Sequence, residues 1–233
     1  MVCTVITADK ANRLFWLGRY AERVYISLHL LRRYYDKVID GDIANLKEYY
    51  SFLGVNTSHS DELSEECQLS QLYDQSNICS IASSLGGAND NGIVLRRDIT
   101  SESLSYIQMS QALLSECAVR CEKNITLLQP VTDYMLAFFG SIDERVFDEN
   151  ISKFLRAGRM VENIDLHLRF RYPFFRVEKA YLALKEIVKS VGAVVDTDSI
   201  EVLDELISPK RYHPEVESYR TRILTNLNNI LLV

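Results

Sequence analysis

The sequence predicts an all-α protein, a single helical bundle of roughly eight helices, and three observations carry that expectation. Apolar residues recur at helical spacing along long runs such as Asp9 to Ile39. Glycine (9) and proline (4) are scarce in 233 residues, so little material exists for the tight turns of an all-β design. No segment shows the strict alternation of a half-buried strand. With 47% hydrophobic and 25% charged residues the composition is that of an ordinary globular chain, and a chain of this length can bury a core without disulfides or metal.

The elements follow in order. The first helix runs from Asp9 to about Ile39 without proline and ends at the Asp-Gly-Asp of 40–42. A shorter one fits IANLKEYYSFLG, closed by Gly54, and a polar loop at 56–66 precedes CQLSQLYDQSNICSIASSL, read as continuous helix. GGANDN, at 86–91, allows a kink, a break or a locally strained helix. The next helix starts near Thr100 or Ser101 with Glu102 in its first turn, where the helix dipole favours a carboxylate. Pro130 opens another, and DERVFDENISKFLRAGRMVENIDLHLRFRY reads as a second long apolar-rich helix stopped by Pro173. FRVEKAYLALKEIVKSVG spaces Val177, Tyr181, Leu184 and Val188 on one face. The last two helices are DSIEVLDELIS, and HPEVESYRTRILTNLNNILL with Pro214 in its first turn. No linker is long or polar enough to divide the chain, so residues 1–233 are read as one domain.

The net charge of −6 argues against a polyanion partner, because neutralising phosphates needs a basic surface. No stretch has the length and apolarity of a membrane span, and MVCTVITADKANR lacks the pattern of a secretory leader. The five cysteines follow no zinc or redox spacing, which suits a reduced, cytoplasmic chain.

The first helix poses the chemical question. Leu17, Tyr20, Val24, Leu28, Leu31 and Tyr35 form one apolar face, yet the opposite face mixes Phe15, Ile26 and Leu30 with Gly18, Arg19, Glu22, His29 and Arg33. A helix apolar on both sides is buried among others, so some of these charges must find partners. The pattern recurs: FWLGRYAER (15–23) and FLRAGRMVEN (154–163) each carry a phenylalanine, a Gly-Arg pair and a glutamate three residues after the arginine. Gly18, Arg19 and Glu22 thus match Gly158, Arg159 and Glu162, while Arg23 corresponds to Asn163. A glycine beside such a pair lets a neighbouring helix approach closely. An approximate two-fold pairing would bring Arg19 to Glu162 and Arg159 to Glu22. The cluster is then either an ion-pair network that fixes helix packing or a pocket whose arginines clamp a carboxylate or phosphate.

Other clusters have plainer readings. His29 and His167 follow carboxylates, but no Glu-x-x-His of the di-iron type occurs, so neither a metal nor a cofactor is implied. Cys117 and Cys121 read as small buried hydrophobes, and Trp16, Tyr20, Tyr34, Tyr35, Tyr49 and Tyr50 as packing. No nucleophile motif or phosphate-cradling loop is visible.

The segment NRLFWLGRYAER, Asn12 to Arg23, resembles the opening motif of the alpha-E domain proteins, an all-helical bacterial family; Asn12, Trp16, Arg19, Glu22 and Arg23 carry the resemblance. AGRMVENID, Ala157 to Asp165, is similar to the family's later Leu-Gly-Arg-x-x-Glu-Arg-Ala-Asp pattern, through Arg159 and Glu162. NDNGIVLRRDITSESLS is similar to its middle segment, with Arg97 and Glu102 in matching positions and Asn89, Gly92 and Ser105 departing. The resemblance implies a genomic setting beside ATP-grasp peptide-ligase-like and transglutaminase-like proteins, and no reaction of its own. The expectation is a non-catalytic binding or scaffold module acting with an ATP-grasp-type ligase in peptide synthesis or modification. The alternative is an enzyme that uses the Arg/Glu pocket to hold a peptide or amino-acid carboxylate for acyl or amide transfer.

Overall fold

The computed structural model describes residues 6–41, 46–53, 72–120, 124–191 and 195–231. These residues form α1 (Ala8–Ile39), α2 (Leu46–Leu53), α3 (Ile81–Val94), α4 (Arg96–Ile99), α5 (Ser101–Val119), α6 (Gln129–Arg145), α7 (Glu149–Arg169), α8 (Phe174–Val191), α9 (Thr197–Leu206) and α10 (Glu217–Asn229). A 3-10 turn at Ile125–Leu128 precedes α6. The protein is all-α: the one extended pairing among the described residues is an isolated antiparallel bridge between Val195 and Leu231. No described helix is long and apolar enough to cross a membrane.

Two compact units result. One comprises residues 1–19 and 148–233, the other residues 20–147, so α1 contributes its first turns to one and the rest to the other.

In the first unit, α7 packs along α8, α10 lies against α7, and α9 pairs with α10. Asp148 caps α7 by accepting from the Asn150 N–H at 3.0 Å. Ile151, Phe154, Leu155, Val161, Ile164 and Leu168 then form its buried stripe. The end of α7 is a Schellman motif: Arg171 takes φ +53°, its N–H donates to the Leu168 carbonyl, and the Tyr172 N–H donates to that of His167. An arginine stands where glycine is usual, and Pro173 prevents the helix from resuming. Tyr181 donates to Asp204 at 2.8 Å and Lys185 reaches both Asp204 oxygens, which ties α8 to α9.

In the second unit, α5 packs on α6 and α3 on α5. Thr100 caps α5 with its hydroxyl on the Ser103 N–H at 3.2 Å while holding φ +72°, a strained value for a β-branched residue. The Ser103 and Ser141 hydroxyls, 2.7 Å apart, join α5 to α6. Glycines in α3 seat its neighbours: a Cβ on Gly87 would sit 2.7 Å from the Tyr20 ring, and one on Gly92 2.7 Å from Leu104. Tyr49 and Tyr50 of α2 are fully buried, and the Tyr49 hydroxyl donates to the Ser27 carbonyl of α1 at 2.7 Å.

Several boundaries differ from those expected. The continuous helix predicted across Cys67 to Leu85 is interrupted, because Asp74 accepts from the Ser76 N–H and hydroxyl, and Asn77 accepts from the Cys79 N–H. Leu72 and Tyr73 are helical, these Asx turns compete with the helix, and it resumes only after Ser80. GGANDN forms helix throughout. DER belongs to the end of α6, and Asp148 starts α7 afresh. Pro214 lies in a turn ahead of α10, which begins at Glu217. With the four-residue α4 these differences bring the described helices to ten rather than roughly eight. Gly54, Cys67, Cys121, Gly192 and the loop expected at 56–66 lie outside the described residues.

The adjacent tyrosines of α2 differ in one respect that stability measurements read directly. Burial raises both phenol pKa values, but the Tyr50 hydroxyl has no hydrogen-bond partner among the described residues. Tyr49→Phe is expected to destabilise by about 1 kcal/mol, because the Ser27 carbonyl loses its donor, and Tyr50→Phe to be neutral or stabilising. Urea denaturation of the two variants beside the parent checks the contrast.

Candidate functional site

The first turns of α1 cross α7 at backbone contact. A Cβ on Gly18 would collide with the Leu155 carbonyl oxygen and lie 2.9 Å from its carbon; one on Gly158 would collide likewise with the Phe15 carbonyl oxygen, 2.8 Å from its carbon. The contact is reciprocal, as the repeated motif predicted. Two helices that meet this closely leave no room for side chains at the crossing, and the residues one step further along each helix must settle beside it.

Arg19 is that next residue on α1. Its side chain is 6% exposed, and its Nε donates to Oε2 of the fully buried Glu162 at 2.9 Å. One terminal nitrogen donates to the Asn228 side-chain oxygen on α10 at 2.7 Å, and the other lies 3.9 Å from Asp165. The guanidinium carbon stands 4.7 Å from the centre of the Trp16 ring and 5.9 Å from that of Phe15. Asp165 is itself held by Arg169, whose Nε donates at 2.5 Å. Two arginines therefore face two carboxylates, with a polar amide and an indole completing the enclosure.

Arg19 and Glu162 meet as expected. The reciprocal pair, Arg159 with Glu22, involves residues of different units and stays an expectation. Asn12, Trp16 and Arg159 are half-buried in the first unit. Glu22, 3% exposed, and the half-buried Arg23 belong to the second, with Arg97 and Glu102, which are exposed. Bonds from its own backbone N–H and from the Thr100 hydroxyl, aided by the charge of Arg145, hold the Glu102 carboxyl below the usual carboxylate range.

Asp165, Arg169 and Asn228 join the cluster without having been singled out. Asp165 could have been found, since it lies one turn beyond Glu162 on the same face and Arg169 one turn further still. Asn228 had no signal, because nothing in NLNN says which amide turns inward. His167 lies on the same helix; burial, together with the charge of Arg176, pulls its pKa down to about 4, so the imidazole is neutral near pH 7. Among the described residues no group of three or more His, Cys, Asp or Glu side chains could hold a metal ion.

Residues 8–199 match the family described as Alpha-E, "a predicted alpha-helical domain with a conserved ER motif". The chain belongs to the Alpha-E family. No match is found among curated proteins or among solved structures. Two Glu-Arg dipeptides occur in this Alpha-E chain, Glu22–Arg23 and Glu144–Arg145. The first lies on α1 three residues beyond the Arg19 that closes the cluster and has its glutamate buried; the second is exposed at the end of α6.

Because carbonyl oxygens face both glycines, neither helix can make room for a methyl group without moving as a whole. Gly18→Ala and Gly158→Ala are each expected to destabilise by about 3 kcal/mol or more, the upper end for overpacking. Gly140→Ala, where a Cβ meets open space, is expected to be neutral or slightly stabilising. Thermal unfolding of the three variants makes the comparison, and a Gly18→Ala protein as stable as Gly140→Ala contradicts the close crossing.

Proposed function

We propose that this chain is a non-catalytic helical binding or scaffold module that works in the bacterial cytoplasm with an ATP-grasp-type peptide ligase in peptide synthesis or modification. Two lines support the reading. One is membership of the Alpha-E family, which by resemblance is associated with ATP-grasp ligase-like and transglutaminase-like proteins. The other, which carries the choice between module and enzyme, is the state of Arg19. Acyl or amide transfer at an Arg/Glu pocket needs an arginine free to take a substrate carboxylate. The Nε and one terminal nitrogen of Arg19 are instead spent on Glu162 and Asn228 inside a buried, charge-balanced cluster.

Mixing the purified chain with an ATP-grasp-type peptide ligase from the same organism is expected to give a stable complex by calorimetry. The chain alone should not turn over ATP or amino acids, and Glu162→Gln should change ligase affinity only in proportion to the loss of fold. Failure of the two proteins to associate at concentrations near 100 µM, which corresponds to a binding free energy weaker than about −5.5 kcal/mol, counts against the module. Amide formation by the chain without the ligase returns the argument to the enzyme.

A further inference from the structure

The corner between α7 and α8 holds a histidine that the Arg19 cluster does not use. His167 stands in the last turn of α7, and its carbonyl accepts from the Tyr172 N–H across the left-handed Arg171. The Tyr172 ring lies against the imidazole, with 4.6 Å between ring centres. The Tyr172 carbonyl in turn accepts from the Tyr212 hydroxyl, and the Tyr212 ring packs on Phe174 of α8 and Tyr219 of α10. A continuous chain of bonds and rings therefore runs from His167 through the corner to the connection between α9 and α10.

A second proton on this imidazole finds no acceptor. An imidazolium donates from both ring nitrogens, yet Nδ1 of His167 is buried without a hydrogen-bond partner among the described residues. No carboxylate compensates. On α7, Glu162 is bonded to Arg19, and Asp165 and Arg169 are bonded to each other. On α8, Glu178 and Lys179 follow Arg176, and of these charges Arg176 alone acts on the ring. On the α10 side His213 lies 3.3 Å from Glu215, Arg220 donates to the Pro214 carbonyl, and Glu217 is exposed. The last turn of a helix ordinarily favours a cation, but burial first, and the Arg176 charge second, outweigh that and hold the His167 pKa at about 4.

We propose that His167 makes the α7–α8 corner an acid-sensitive joint, closed over a neutral imidazole and opened when Nδ1 takes up a proton, which breaks the Tyr172 contact and releases the α9–α10 connection from the corner. Opening lets the ring reach water, where its ordinary affinity for a proton returns, so acid favours the open form. Because the closed corner binds the proton less tightly than the open one, the joint is fully closed above about pH 6.5 and weakens as the pH falls from there towards 4. Between pH 7 and pH 5 the open fraction is expected to rise about twentyfold. The corner yields before the helices do, since it is a short non-helical segment with a non-glycine residue held at φ +53°.

Mass-spectrometric hydrogen exchange of the full chain tests both halves of the claim. Exchange of the imidazole C2 proton reports the titration of His167, and amide exchange, corrected for its intrinsic dependence on pH, reports the opening. The segment 167–173 is expected to lose protection about twentyfold from pH 7 to pH 5 while the buried start of α7 around Ile151 and Leu155 keeps its own, and His167 is expected to titrate below pH 5. His167→Phe keeps a ring against Tyr172 and cannot take the proton, so the pH dependence should vanish; His167→Gln gives the same reading should the phenylalanine variant not fold. Arg176→Gln, at an exposed position, should raise the His167 titration and blunt the opening. An unchanged pH dependence in the His167 variants overturns the proposal, as does a His167 that titrates near pH 6.5, the ordinary histidine value. Loss of protection spread evenly from α7 to α10 also overturns it, because acid then unfolds the unit as a whole and there is no joint.

Discussion

At the crossing of α1 and α7 two backbones touch, Gly18 against Leu155 and Gly158 against Phe15. Contact this close fixes both the separation and the register of the two helices. It also fixes where Arg19 must go, because a long side chain beside a crossing with no free volume has one enclosed direction open to it. In that direction lie Glu162, Asp165 and Asn228. The glycines and the charges are thus one device. Without the glycines the helices would stand apart and water would reach the arginine; without the carboxylate the buried guanidinium would have no compensation for its lost hydration.

Such a cluster is weak support for stability in itself. Removing two ions from water costs several kcal/mol each, and good geometry does little more than return it. Its physical value lies in what happens when the helices slip. A one-residue shift of α7 on α1 separates Arg19 from Glu162 and puts a side chain where Gly158 stands, so the wrong registers are penalised twice. The rest of the first unit builds on that placement, since α10 supplies Asn228 to the same guanidinium and α8 packs along the helix that carries Glu162.

Much of this was legible in the amino-acid sequence. The repeated Gly-Arg-x-x-Glu identified the crossing helices and the Arg19–Glu162 pair, because a rare pattern in an apolar helix has few physical explanations. Val177, Tyr181, Leu184 and Val188 pointed inward as their spacing required. Boundaries were harder. Thr100 announced a helix start correctly, whereas Pro214 misplaced one by three residues, since proline tolerates both a turn and a first helical position. Asp74 and Asn77 broke a run that periodicity alone would have continued, through side-chain bonds that compete with the helix. The inward turn of Asn228 depends on tertiary placement, which local pattern does not encode.

The most direct measurement is a double-mutant cycle between Arg19→Met and Glu162→Gln, read by chemical denaturation. Each single change leaves its partner buried without compensation and is expected to lose about 3 to 5 kcal/mol. The double variant should lose less than the sum, with a coupling energy of about 1 to 3 kcal/mol. Strictly additive losses, or a Glu162→Gln protein as stable as the parent, would contradict the claim that this pair and the glycine crossing form a single constraint.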